Sequence, residues 1–344
     1  SVSFPVPAAE TAFRRSNHKR LQQKGREHHP AAVLFSLAML LEVDNLHATF
    51  KGDTADVAIL RGITFTVHPG ERVALVGESG CGKSITSLSL TRLPPTNRAQ
   101  ITGLIKFHGK ELTAPHPKIA YIFQDPIASL NPVMKIGKQL KEAQGDAECD
   151  LEELLAAVAL HNPKAILSSY PCELSGGMCQ RVMIAMGLAR NPDILIADEP
   201  TTALDVTTQA EVMDLISKIV EERKMALLMA THNLGLVAGR CDTVHVLYAG
   251  QIVESGPVSN VLKNPIHPYT QGLIQAVPKI SSRNKEDLKD IPGTVPTPQE
   301  ISKLANGQDA CVFRPRCKYA TDACAATVKT ISENNRSWRC LRAQ

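Results

Sequence analysis

No apolar run in this chain approaches the roughly 20 residues a helix needs to cross a bilayer. The longest candidate, AAVLFSLAMLL over 31–41, follows the basic, His-rich NHKRLQQKGREHH, an order that resembles a signal peptide. No small-residue cleavage site separates it from the strand-like LLEVDNLHATF, so a targeting role is not favoured. Met39 stands just before that strand as a natural start, and residues 1–38 are expected to be a dispensable, disordered extension. Aromatic residues are also scarce, at 4%, which argues against a platform for stacking bases. Charge of neither sign dominates: 21% of residues are charged and the net charge is +4, an ordinary solvated surface that gives no reason to expect nucleic acid as a partner. No repeat of 20–50 residues is visible, which excludes a solenoid.

What the chain does have is apolar content of 43% over 344 residues, enough for one large domain with additions or for two. Nine cysteines are placed unevenly: five are scattered and four fall after residue 310.

The first stretch with chemistry in it is ERVALVGESGCGKSITSLSLTRL, read as a buried strand, a glycine loop and a helix. Gly77, Glu78, Ser79, Gly80, Cys81, Gly82, Lys83 and Ser84 fit the phosphate-binding pattern G-x-x-x-x-G-K-[ST] without a mismatch, and Ile85 follows in the helix. The glycines let backbone N–H groups converge on the α- and β-phosphates, and the helix N-terminus favours the same charge. Lys83 is placed for the β- and γ-phosphates and Ser84 for Mg²⁺. A second motif lies in DILIADEPTTALD, where a short apolar strand ends in two acids. Asp198 is expected to hold Mg²⁺ through water, and Glu199 to orient or deprotonate the water that attacks the γ-phosphate.

A second glycine loop, LSGGMCQ, opens an apolar helix but carries no lysine. With the two motifs above, it makes the chain resemble the ATP-binding subunits of ABC transporters. The resemblance implies that Leu174, Ser175, Gly176, Gly177 and Met178 form a signature loop. That loop closes over ATP held by a second subunit in a head-to-tail dimer, which explains the missing lysine. It further implies that Gln124 in YIFQDP senses Mg²⁺ and the γ-phosphate and links to the membrane subunit. Ala203, Leu204 and Asp205 would form the loop that crosses the dimer interface, and His232 would contact the γ-phosphate. Phe50 is a candidate for stacking on adenine, with ordinary core packing as its other reading. Asn233 departs from the family, in which aspartate usually follows the histidine.

QDPIASLNP, ADEPTTALDVTTQA, YAGQIVESG and NPIHPYTQGLIQAVP narrow the likeness to the dipeptide, oligopeptide and nickel importers. Met178 in LSGGM points to the first of that group's two ATPases. The implied function is hydrolysis of ATP with Mg²⁺ to drive import of di- or oligopeptides. The implied partners are a second, related ATPase, two membrane-spanning permease subunits and a solute-binding protein. The implied location is peripheral, on the cytoplasmic face of the inner membrane. The same role with nickel or another small solute is the alternative. A soluble ABC ATPase of DNA repair or translation is more distant, because such proteins generally carry coiled-coil or duplicated segments that this chain lacks.

The four late cysteines, Cys311, Cys317, Cys324 and Cys340, suit a four-thiolate site. Their spacing alone leaves iron–sulfur, zinc and free or disulfide-bonded thiols open. The family likeness, carried by C-x-F-x-P-R-C and the later cysteines, implies a [4Fe–4S] cluster. Arg314, Arg316 and Arg339 flank these positions and would offset thiolate charge.

The expected fold is α/β: a P-loop ATPase domain over 39–278, with an antiparallel β subdomain and a helical subdomain at about 125–190, followed by a small Cys-rich extension over 279–344. Periodicity predicts strands over 40–50, 62–67, 72–76, 103–108, 118–123, 193–198, 226–231, 243–248 and 251–254. It predicts helices over 82–93, 133–143, 150–161, 177–190, 206–223, 234–239, 257–263 and 268–276, with Pro163 following the end of the third.

Overall fold

Four short apolar runs, VALV, ILIA, ALLMA and VHVLY, alternate in which face they bury, and this alternation organises the molecule. The computed structural model describes residues 39–343 apart from 54–55, 95, 203, 278–289 and 306–308. The predicted N-terminal extension and Ala203 therefore lie outside the described residues. Strands β3 (Arg72–Val76), β6 (Ile119–Ile122), β7 (Ile194–Asp198), β8 (Ala226–Thr231) and β9 (Thr243–Tyr248) form a parallel sheet in the order β9-β3-β8-β7-β6. Val73, Leu75, Ile194, Ile196, Leu228 and Leu247 face one core, whereas Ala74, Val76, Leu195, Ala197, Leu227 and Met229 face the other. Both faces are buried, so these strands read as continuous apolar runs.

The first core is closed by a four-stranded antiparallel sheet. It is built from β1 (Leu41–Phe50), β2 (Val57–Val67), β4 (Ala99–Phe107) and the two-residue β5 (Lys110–Glu111), in the order β2-β1-β4-β5. Leu41, Val43, Leu46, Leu60, Ile63 and Ile105 supply its inner face. β2 begins five residues before its predicted start, because Val57 to Arg61 pair with the far end of β1 as far as Phe50. α1 (Lys83–Leu90) leaves the glycine loop that follows β3 and buries Leu90 in the same core.

Between β6 and β7 the chain makes five helices: α2 (Pro126–Ser129), α3 (Ile136–Gln144), α4 (Leu151–Ala157), α5 (Pro163–Ser168) and α6 (Gly176–Leu188). α2 was not predicted, yet its signal is present, since Asp125 accepts hydrogen bonds from the N–H groups of Ile127 and Ala128 and Pro126 sits in the first turn. The helix predicted over 150–161 stops at Ala157, and Pro163 opens α5 rather than trailing α4.

β8 is reached through α7 (Val206–Glu222), and the short α8 (Leu234–Val237) leads on to β9. β10 (Gln251–Pro257) then turns back antiparallel to β9 and is followed by α9 (Val258–Lys263), α10 (Pro268–Gln275) and α11 (Pro298–Ala305). A hairpin, β11 (Ile331–Glu333) and β12 (Arg336–Trp338), adds to β10 and extends the central sheet to eight strands. Met39 to Gln344 clusters as one compact unit. The Cys-rich segment is thus fastened at its end by sheet pairing, with Trp338 buried on β12 and Glu254 bound by Arg336 at 2.8 Å.

Candidate nucleotide site and cysteine cavity

At the C-terminal end of β3 the chain turns so tightly that only glycine fits at two positions. A side chain on Gly77 would collide with the Leu247 carbonyl, and Gly82 takes φ 108° as it caps α1. This places Lys83, 4% exposed, inside the loop, where its Nζ donates to the carbonyls of Gly77 (2.9 Å) and Glu78 (3.1 Å). Nζ also lies 3.6 Å from Glu199 Oε1.

β7 delivers the two acids, and the backbone separates their tasks. Asp198 ends the strand, buried, with Oδ2 accepting from the Tyr121 hydroxyl at 2.9 Å. Its Oδ1 is buried and has no hydrogen-bond partner among the described residues. Burial raises the Asp198 pKa, while the nearby Ser84 hydroxyl and the Tyr121 bond work the other way. An unpaired carboxylate oxygen beside a P-loop serine is the donor set a hydrated Mg²⁺ requires, so these residues fit the ion the motif implies.

Glu199 turns away at φ 47°, a left-handed conformation that strains a non-glycine residue, with its N–H held by the Ala230 carbonyl at 2.9 Å. Three further groups reach its carboxylate: His232 Nδ1 at 3.2 Å, the Thr202 hydroxyl at 3.0 Å and Gln124 Nε2 at 3.4 Å. Burial pushes its pKa up, but the bonds from His232 and Thr202 and the charge of Lys83 outweigh that and hold it below the usual range. Glu199 is therefore ionised at neutral pH, as a water-orienting base must be.

The loop, Gln124 and Glu199 line an open cavity of about 350 Å³ together with Phe50, Ile59, Ser79, Gly80, Gly82, Lys83, Ser84 and Ile85. Phe50, half-buried at the end of β1, forms one wall of it. Glu78 does not line the cavity; its side chain points away, to Arg316. Leu174 to Met178 also lie outside it, at the start of α6, where the Ser175 hydroxyl accepts from the Met178 N–H at 3.3 Å. Leu204 packs against the core, and Asp205 caps α7 through the N–H groups of Thr207 and Thr208. Sequence reasoning missed Thr202 and Tyr121. Thr202 was visible as the second threonine of EPTT, but Tyr121 became meaningful only once β6 lay beside β7.

Cys311, Cys317, Cys324 and Cys340 are brought together, and all four line a second cavity of about 340 Å³. None is disulfide-bonded. Burial, with the neighbouring Cys324, Cys317 and Cys340, pushes the Cys311 thiol up to about 11. Among the described residues no three His, Cys, Asp or Glu side chains converge closely enough to hold a single metal ion. Arg314 and Arg339 line this cavity, and Arg314 Nη1 is buried without a hydrogen-bond partner among the described residues. Arg316, expected to offset thiolate charge, does not line it and is committed to Glu78 instead.

The chain is similar to known proteins along most of its described length. The ABC transporter family model matches residues 60–202, and the model for the oligopeptide/dipeptide transporter C-terminal region matches 253–324. A peptide import ATP-binding protein of Brucella ovis is 42% identical over 335 residues, covering 89% of this chain and 97% of its own. The oligopeptide transport ATP-binding protein OppD of Salmonella typhimurium is 43% identical over 303 residues, covering 83% and 88%. Among solved structures, CbiO1 from Clostridium perfringens, part of an ABC transporter complex, superposes with a TM-score of 0.56 over 66% of this chain and 92% of its own, at 24% identity.

Proposed function

The chain belongs to the ABC transporter ATPases of the oligopeptide/dipeptide group, and from that premise we propose how its residues work and with whom. It binds and hydrolyses ATP and energises a peptide importer. The observation that carries the mechanism is the carboxylate of Glu199, held ionised among Lys83, His232, Thr202 and Gln124 at the mouth of the P-loop cavity.

ATP sits with its phosphates along Gly77 to Ser84 and its adenine against Phe50. Ser84 and Asp198 would hold Mg²⁺, which when bound offsets phosphate charge. Lys83 releases the Gly77 and Glu78 carbonyls for the β- and γ-phosphates. Glu199 accepts a proton from the attacking water, and Thr202 and His232 fix its orientation. His232 and Lys83 stabilise charge on the transferring phosphoryl group.

The signature loop, outside its own chain's cavity, serves ATP held by a related partner ATPase, so closure of the pair is the power stroke. Docking on two permease subunits is supported by a groove beside Gln124 of about 320 Å³, lined by Tyr121, Phe123, Met183 and Met186. In this reading the chain is peripheral, on the cytoplasmic face of the inner membrane; among the described residues no helix is long and apolar enough to cross a membrane. A solute-binding protein delivers the peptide.

The four cysteines hold a [4Fe–4S] cluster. Support comes from four thiols outside any disulfide around one cavity and a buried cationic donor at its wall. When bound, such a cluster supplies a redox-active staple. Iron and sulfide analysis of the protein and of Cys317→Ser is the direct check: the variant should lose both, and equal iron and zinc content in the two would contradict the site.

The transport reading is tested by ATP hydrolysis in the reconstituted complex. Binding protein loaded with dipeptide or oligopeptide should stimulate it. Stimulation by Ni²⁺ alone, or none at all, would overturn the peptide cargo.

A further inference from the structure

Glu78, the second residue of the P-loop, is gripped from outside the nucleotide cavity by residues the ATPase mechanism does not use. Its carboxylate receives both arms of the Arg316 guanidinium, Nη1 to Oε2 at 2.8 Å and Nη2 to Oε1 at 2.9 Å, across 238 residues of sequence. Its N–H donates to the Tyr269 hydroxyl at 2.8 Å, and its carbonyl accepts from Lys83 Nζ at 3.1 Å. A single residue therefore joins the C-terminal segment to the lysine that must reach the phosphates.

Arg316 is built for this task. Its side chain is 4% exposed, its Nε donates to the Pro292 carbonyl at 2.9 Å, and its guanidinium lies 5.8 Å from the Tyr248 ring centroid and 5.9 Å from that of Phe313. These rings pack with Tyr269, at centroid distances of 4.6 Å for Tyr248–Tyr269, 5.1 Å for Tyr248–Phe313 and 5.4 Å for Tyr269–Phe313. A planar, bidentate fork within cation–π reach of two aromatic rings is an arginine site that lysine cannot reproduce.

The same arginine lies inside the cysteine turn. The turn runs from Cys311 to Cys317, closed by hydrogen bonds from the Arg314 N–H to the Cys311 carbonyl, the Arg316 N–H to the Phe313 carbonyl and the Cys317 N–H to the Arg314 carbonyl. Cys311 is in turn tied to Cys324 by a backbone bond of 3.1 Å. Anything that spreads or draws in these thiols moves the backbone that carries Arg316.

We propose that Arg316 is a positioning residue for the nucleotide site: through Glu78 it holds the P-loop, and through the turn between Cys311 and Cys317 it makes that hold depend on the state of the four thiols. Arg316 acts by holding the Glu78 turn of the loop in the shape that meets the phosphates, so loss of either partner acts on ATP affinity before it acts on the chemical step. The inference rests on the ATP-site reading above but not on which metal the cysteines hold.

The test is equilibrium titration of a fluorescent ATP analogue, with Mg²⁺, into the assembled transporter. Arg316→Gln and Glu78→Gln should each weaken binding by on the order of tenfold, with hydrolysis at saturating ATP much less affected. The double variant should be no weaker than the weaker single, because the pair acts as one unit. Arg316→Lys should recover only part of the loss. Cys324→Ser, remote from the P-loop in sequence, should weaken binding in the natural chain and add nothing in the Glu78→Gln background. Glu78→Gln leaves Arg316 its Pro292 bond and its aromatic neighbours, so it reads the coupling even if Arg316→Gln does not fold. Unchanged affinity in Glu78→Gln, additive losses in the double variant, or equal effects of Cys324→Ser in both backgrounds would overturn the proposal. A natural chain that binds no nucleotide would instead overturn the ATP-site reading itself.

Discussion

At the scale of single residues, chemistry was legible where function demands neighbours in sequence and silent where it demands neighbours in space. Gly77 to Ser84 and the pair Asp198–Glu199 are local patterns, because a phosphate cradle and a metal acid beside a base each need adjacent residues. Tyr121 touches Asp198 only after strands 77 residues apart in sequence have paired, and Arg316 reaches Glu78 across 238 residues; no spacing encodes either contact. Replacing Glu199 with Gln keeps the shape and removes the base, so turnover should fall by roughly 10²–10⁴ while ATP remains bound. Undiminished turnover in a steady-state assay would remove Glu199 from the mechanism. Two histidines outside the nucleotide cavity give a pH prediction. Burial pushes His245 down to about 4 and His267 down to about 3, from an ordinary value of 6.5. Below 6.5 the unfolded chain takes up protons that the folded chain refuses, so the stability these residues contribute is full above 6.5 and is lost as pH falls toward 4. The urea midpoint should drop between pH 7 and pH 5, and His245→Asn should flatten that drop by up to about 1.4 kcal/mol per pH unit. An equal slope in both proteins would contradict it.

At the scale of elements, long periodic segments were read well and short capped ones unevenly: α8, α9 and α10 were expected, whereas others were missed. α6 and α7 carry apolar spacing over three turns or more, and the runs of β3, β7 and β8 are unbroken. α2, α5 and α11 have at most eight residues each, too few for periodicity to declare itself, and were signalled only by a cap or an opening proline. β11 and β12 are three residues each and owe their existence to the edge of β10. The helical region has its own hub. Buried Gln139 on α3 accepts from the Asn131 N–H at 2.9 Å and donates to the carbonyls of Asn131 at 3.0 Å and Met134 at 2.8 Å, pinning the LNP turn that follows α2. Gln139→Ala would leave those groups unpaired and should cost about 2–3 kcal/mol, measured by urea unfolding. A change within experimental error would mean that water replaces the side chain without loss.

At the scale of the whole molecule, the ATPase core, the second sheet and the helical region were foreseeable as a set, because they must surround one parallel sheet with two buried faces. What could not be foreseen is how closely the C-terminal segment is built in: it completes the central sheet, covers Tyr248 and Tyr269 with Phe313, and sends Arg316 into the P-loop. The central claim is that Glu199-dependent hydrolysis drives peptide import, and ATP-driven uptake of labelled peptide into vesicles bearing the full transporter tests it most directly. The account predicts uptake with the natural chain and none with Glu199→Gln, although that variant still binds ATP. Uptake undiminished by Glu199→Gln, or hydrolysis by the natural chain with no uptake of any peptide, would contradict it.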